Sequence, residues 1–173
     1  MARRTVVLSI LSGMLLILGI ATASFAAGRK NADSDRLAGA WRSHVQFKSG
    51  AFAAVKDLEF MYAFNRGGTM TESSNYDASP PVPPAYGVWR KIQPRQYEAK
   101  YVFFLSKAPQ SFGDIASGGG WAPGGSGVVV ETITLAEDGK TFKSTIRLDV
   151  FDETGKPVES NSLAEGQAVR ISF

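Results

Sequence analysis

The connections between the apolar segments of this 173-residue chain alternate between tight and long, and that alternation restricts the fold more than any single motif. From residue 40 onward, short stretches of alternating apolar and polar residues are punctuated by Gly, Pro, Asn and Asp, the pattern of antiparallel strands. Eight strands are predicted, over 40–47, 58–64, 69–76, 86–92, 95–107, 127–137, 140–151 and within 158–173, the last with a candidate break at "AEGQ". Strands two and three, four and five, and six and seven meet at "NRGG", "QP" and "DG", of which the last is the strongest hairpin signal in the chain. The other connections, "KSGAFAAVKD", "DASPPVPPA", "APQSFGDIASGGGWAPGGS" and "DETGKP", are all longer. In an up-and-down meander alternate connections fall at opposite ends, so the tight turns share one end and the long loops the other. Eight strands with one apolar face close into a barrel, because closure removes unpaired edges. The expectation is an all-β, eight-stranded antiparallel up-and-down barrel with a tight floor and a loop-rimmed mouth.

Strand alternation then assigns the interior. Trp41, Ser43, Val45 and Phe47 share one face of the first strand, with Arg42, His44 and Gln46 opposite. Leu58, Phe60, Tyr62 and Phe64 fall together on the second, Tyr97, Ala99, Tyr101, Phe103 and Leu105 on the fifth, and Phe142, Ser144, Ile146, Leu148 and Val150 on the seventh. The sixth strand leaves two readings open. With Val129, Ile133 and Leu135 inward, Glu131 is a carboxylate in an apolar interior, with a raised pKa or a partner, and a site candidate. With Val128, Val130, Thr132 and Thr134 inward, which suits a barrel wall equally well and is the simpler reading, Glu131 is merely solvated.

Composition narrows the context. Arg3 and Arg4, an apolar run from Val6 and the small-residue stretch "ATASFAAG" have the layout of a signal peptide. The predicted organisation is a signal peptide over 1–26, a polar linker over 27–37 and a single barrel domain over 38–173, in a secreted or periplasmic protein. An uncleaved anchor is the alternative, since the apolar run of roughly 18 residues reaches the lower limit for a bilayer span. With 0 cysteines, neither disulfides nor thiolate metal sites are available. Removing Arg3 and Arg4 leaves 17 basic residues (19 less two) against 16 acidic ones, interspersed, which favours neither nucleic acid nor, once the signal is cleaved, a membrane as partner.

"GAWR" opens the first strand and "AVRISF" ends the last, and on these two motifs the chain resembles the calycin superfamily, more narrowly the secreted bacterial lipocalin-like proteins. The resemblance implies a structural role for Gly39, Trp41 and Arg170, with the arginine packed on the tryptophan at the closed end. The family's middle motif and its C-terminal helix have no counterpart in the sequence. Alternation groups Val169 with Ile171 and sends Arg170 to the opposite face, which places the expected contact at the rim. The echo "GVWRK" puts Trp89 on a strand running the other way, expected nearer the mouth.

The functional expectation is a barrel holding a small hydrophobic or aromatic molecule, with Tyr62, Trp89, Tyr97, Tyr101, Phe103, Trp121 and Glu131 as candidate ligand-binding residues. A secreted interaction or inhibitor module with a filled barrel is the second reading, and an isomerase or cyclase similar to allene oxide cyclase and dirigent barrels, acting through Glu131, the third. A homo-oligomer is compatible with each. No catalytic residue, metal or cofactor is assigned: His44 is the single histidine and reads as a surface residue, so nucleophile-and-base triads have little to draw on. "SGGGWAPGGSG" lacks Walker spacing and reads as a flexible linker, with Trp121 either folding over the mouth or anchoring the loop.

Overall fold

The computed structural model describes residues 36–77, 82–116 and 120–173. The predicted signal peptide, most of the linker and parts of the proline-rich and glycine-rich connections lie outside these residues. Within them no sheet edge is left open. Strands β1 (Gly39–Phe47), β2 (Glu59–Phe64), β3 (Thr69–Ser74), β4 (Ala85–Gln93), β5 (Gln96–Lys107), β6 (Ala122–Leu135), β7 (Thr141–Phe151) and β8 (Pro157–Arg170) form a closed barrel in sequence order. β8 returns antiparallel onto β1 from Trp41↔Arg170 to Phe47↔Ala164. The expected all-β meander is therefore the observed one, with the tight turns at the floor and the long connections at the mouth. A short 3-10 turn (Ala51–Ala54) and a short helix, α1 (Phe112–Ala116), interrupt two of the mouth loops.

The floor is a plug of large rings. Trp41 is fully buried and lies 5.0 Å from Phe142, ring centre to ring centre, while Trp89 bridges Phe64 at 6.0 Å and Tyr97 at 5.8 Å. Trp89 is thus a floor residue, contrary to the sequence expectation: β3 is short, so the turn before it reaches up to Trp89, whose indole nitrogen donates to the Asn65 and Thr69 carbonyls. Burying rings of this size removes more apolar surface from water than burying a smaller side chain does.

Arg170 latches the plug. Its guanidinium carbon lies 4.2 Å from the centre of the Trp41 ring. Nε donates to the Gly139 carbonyl at 2.9 Å, Nη1 to Ala38 at 2.8 Å, and Nη2 to Arg36. Trp41 in turn donates its indole N–H to the Leu37 carbonyl at 2.9 Å. Arg36 and Leu37, assigned above to the linker, belong to this assembly, and Leu37 is fully buried. Gly39 explains itself here: a Cβ at its position would lie 2.5 Å from Arg170 Nη1, and its φ of +136° is one that other residues rarely adopt.

The sequence reading of β8 needs correcting. Arg170 faces inward together with Ala164, Gly166 and Ala168, whereas Leu163, Val169 and Ile171 are 55%, 60% and 48% exposed. The larger residues are outside because the interior opposite this strand is already full: a Cβ on Gly166 would lie 2.5 Å from Ser144 Oγ. The strand is not broken at "AEGQ"; its irregularity comes earlier, where the register to β7 shifts beside Asn161, held at φ 59°. β6 also begins earlier than expected, and residues 122–126 of the supposed flexible linker pair with the end of β5 across a bulge.

Truncating Trp41 to alanine is expected to cost about 3–5 kcal/mol of stability in urea unfolding. Arg170→Lys keeps the charge but loses the planar fork, and is expected to cost about 2 kcal/mol. A loss below about 1 kcal/mol for Trp41→Ala would show that the plug does not hold the barrel shut.

Candidate functional site

Above the plug the barrel is not filled. A cavity of about 290 Å3 opens at the mouth, walled by Phe47, Leu58, Phe60, Phe103, Val129 and Leu148, with Ala85 and Tyr101 deeper and Val82 and Pro83 at the lip. Rings packed on one another fill the lower half, whereas in the upper half Phe47, Phe60 and Phe103 stand around an open space with Leu58, Val129 and Leu148. Phe103 takes its position from its cross-strand partner Gly127: a Cβ there would lie 2.1 Å from the phenyl ring, which covers the glycine instead. Phe52, from the 3-10 turn, packs 5.5 Å from Phe47 and brings the first mouth loop over the opening.

Between plug and cavity lies a belt of buried polar groups. Glu131 is 0% exposed, so β6 presents Val129, Glu131, Ile133 and Leu135 to the interior. The valine and threonine face is outward, and the solvated reading of Glu131 is overturned. Tyr62 donates to Glu131 Oε1 at 3.3 Å and Tyr101 to Oε2 at 3.1 Å. Burial pushes the Glu131 carboxyl up to about 7, against the lowering effect of Ser144 and the two tyrosines. Ser144 Oγ biases that titration from nearby but has no partner at hydrogen-bonding geometry. Burial, followed by the nearby Glu131 charge, raises both tyrosine hydroxyls well above their ordinary range, so they remain donors.

The second acid in this belt, Glu72, escaped the sequence reading. It pairs with Tyr62 across β2 and β3, is 6% exposed and lines the cavity; its Oε1 has no hydrogen-bond partner. Burial is the main cause of its strongly raised pKa, with Asp77 and Glu131 adding repulsion. The only sequence signal was the alternation of Met70, Glu72 and Ser74 in "TMTESS", too short and too polar to declare an inward face.

The candidate ligand residues separate by height. Tyr101 and Phe103 line the cavity. Tyr62 and Glu131 lie one layer below, joined to it through Tyr101. Trp89 and Tyr97 belong to the floor, and Trp121, 43% exposed, stands on the rim apart from the lining. His44 is on the outer wall. Among the described residues, no group of three His, Cys, Asp or Glu is placed to hold a metal ion. The chemistry available is a hydrophobic enclosure with carboxyl and phenol groups at its base.

The latch, the strand order and the half-open interior define a calycin-type β-barrel. Comparison with family models, curated proteins and solved structures gives no match, so that class rests on topology and geometry.

Glu131 makes stability depend on pH. A carboxyl with an unfolded pKa near 4.5 and a folded one of about 7 holds more protons in the native state between those values. Raising the pH through that window therefore destabilises the fold, by about 3 kcal/mol for this group alone, and Glu72 acts in the same direction. The urea midpoint is expected to be lower at pH 8 than at pH 5, and Glu131→Gln to reduce the difference, with Glu72 supplying what remains. A wild-type protein as stable at pH 8 as at pH 5 would contradict the buried placement of both acids.

Proposed function

We propose that this protein is an exported, lipocalin-like carrier that encloses a small aromatic or hydrophobic molecule in the upper half of its barrel. The observation that carries the reading is the division of the interior into a packed floor and a mouth cavity of about 290 Å3. A barrel required only to be stable gains from filling that space, because unfilled apolar volume forfeits dispersion contacts. The space is about twice that of an engineered cavity of about 150 Å3 that accepts benzene, and so suits a molecule of one or two rings. Export is supported by the basic, apolar and small-residue order of the first 26 residues. Lipocalin kinship is supported by the Gly39, Trp41 and Arg170 assembly.

A second reading, an interaction module using its outer face, is favoured by one feature. Tyr86 and Val102 pair on the outside of β4 and β5, and both are exposed, as is the adjacent Val88. The two readings part on whether the interior binds anything.

Melting curves with single-ring and two-ring hydrocarbons and alcohols test the carrier reading. Several members of the series are expected to raise the melting temperature in a concentration-dependent way. Val129→Phe, which fills the cavity, is expected to abolish the response without lowering the melting temperature of the free protein by more than a few degrees. No shift with any member of the series would overturn the reading.

A further inference from the structure

The charged side chains in the described lining of the cavity are all acidic. Glu72 and Asp77 both contribute to its lining, and Glu131 lies one layer beneath; none of the described lining residues is basic. Asp77 is occupied locally, accepting from the Ser74 backbone N–H at 2.7 Å and from the Ser74 hydroxyl at 3.0 Å. Glu131 is occupied by two tyrosines. Glu72 is different: it is more than nine-tenths buried, it lines the cavity, and Oε1 has no partner. An apolar wall satisfies no carboxyl oxygen, and leaving one buried without a partner is costly. Glu72 sits in the cavity wall, where a bound molecule with hydrogen-bond donors can approach its carboxyl.

We propose that the cavity selects a small aromatic molecule carrying a primary ammonium group, with the Glu72 carboxylate as its counter-ion. This rests on the carrier reading given above. The rings of the ligand occupy the space between Phe47, Phe60 and Phe103, and its ammonium points down toward Glu72. Several donors on one small cation match a carboxylate whose oxygen is otherwise unpaired. Tyr101, also in the lining, is an aromatic ring of the kind that attracts cations. An anionic amphiphile such as a fatty acid would find no cation in the described lining to pair with, and is the poorer match.

The test is isothermal titration of the purified protein at pH 8 with three probes of matched shape: 2-naphthylmethylamine, 2-naphthylmethanol and 2-methylnaphthalene. The amine is expected to bind at least about tenfold more tightly than the alcohol. Glu72→Gln is expected to bring the amine to within about threefold of the alcohol while leaving the hydrocarbon unchanged, and Glu72→Asp to retain a preference for the amine. Equal affinities in the wild type, or a preference that survives Glu72→Gln, overturn the ammonium assignment and leave the carrier reading standing. Failure of all three probes to bind overturns both.

Discussion

The structure depends on the joining of its first and last strands. Seven of the eight strand pairs are hairpin neighbours, close in sequence; the eighth, β1 with β8, must be made by segments from opposite ends of the described chain. Backbone pairing alone would leave that seam no stronger than any other. Arg170 reinforces it by satisfying the carbonyls of Arg36, Ala38 and Gly139 while its charge covers Trp41, so one side chain ties the approach to β1, the β6 to β7 turn and the end of β8 together. Burial lowers the Arg170 pKa, but guanidinium loses its proton so reluctantly that the latch stays charged.

With the rings and the arginine latch packed at the floor, the upper half carries groups that a filled core would reject. Two buried carboxyls at mid-height oppose folding whenever they ionise, and the tyrosine pair offsets this only for Glu131. The ring plug and the cavity are therefore parts of one arrangement: dense packing below tolerates polar and open space above. Phe103 over Gly127, and the small residues of β8 beside Ser144, show the same economy of volume, each large group facing a small one.

Much of this architecture was legible from connection lengths, because tight and long turns in alternation leave an antiparallel meander little freedom. The inward faces of β1, β2, β5 and β7 were legible as well, each having three or more large apolar residues in phase. The reading failed where that signal was weak or inverted. In β8 the bulky residues are outside and the interior holds Ala164, Gly166 and Ala168, so hydrophobicity pointed the wrong way. In β6 both faces were apolar enough, and the choice between them depended on the tyrosines of β2 and β5, which no local pattern reports. Glu72 was missed because three inward residues are too few to set a phase. Trp89 was misplaced because the shortness of β3, six residues, moves the floor up to meet it.

The latch also joins the parts of the barrel that lie farthest apart in sequence. Each hairpin joins strands that are neighbours in sequence, but the contact between Trp41 and Arg170 spans nearly the whole described domain and carries a larger loop-closure cost than any hairpin. A barrel unclosed at this seam would present β1 and β8 as open edges able to pair with other chains. Arg170, by holding that seam shut, guards against association as well as against unfolding.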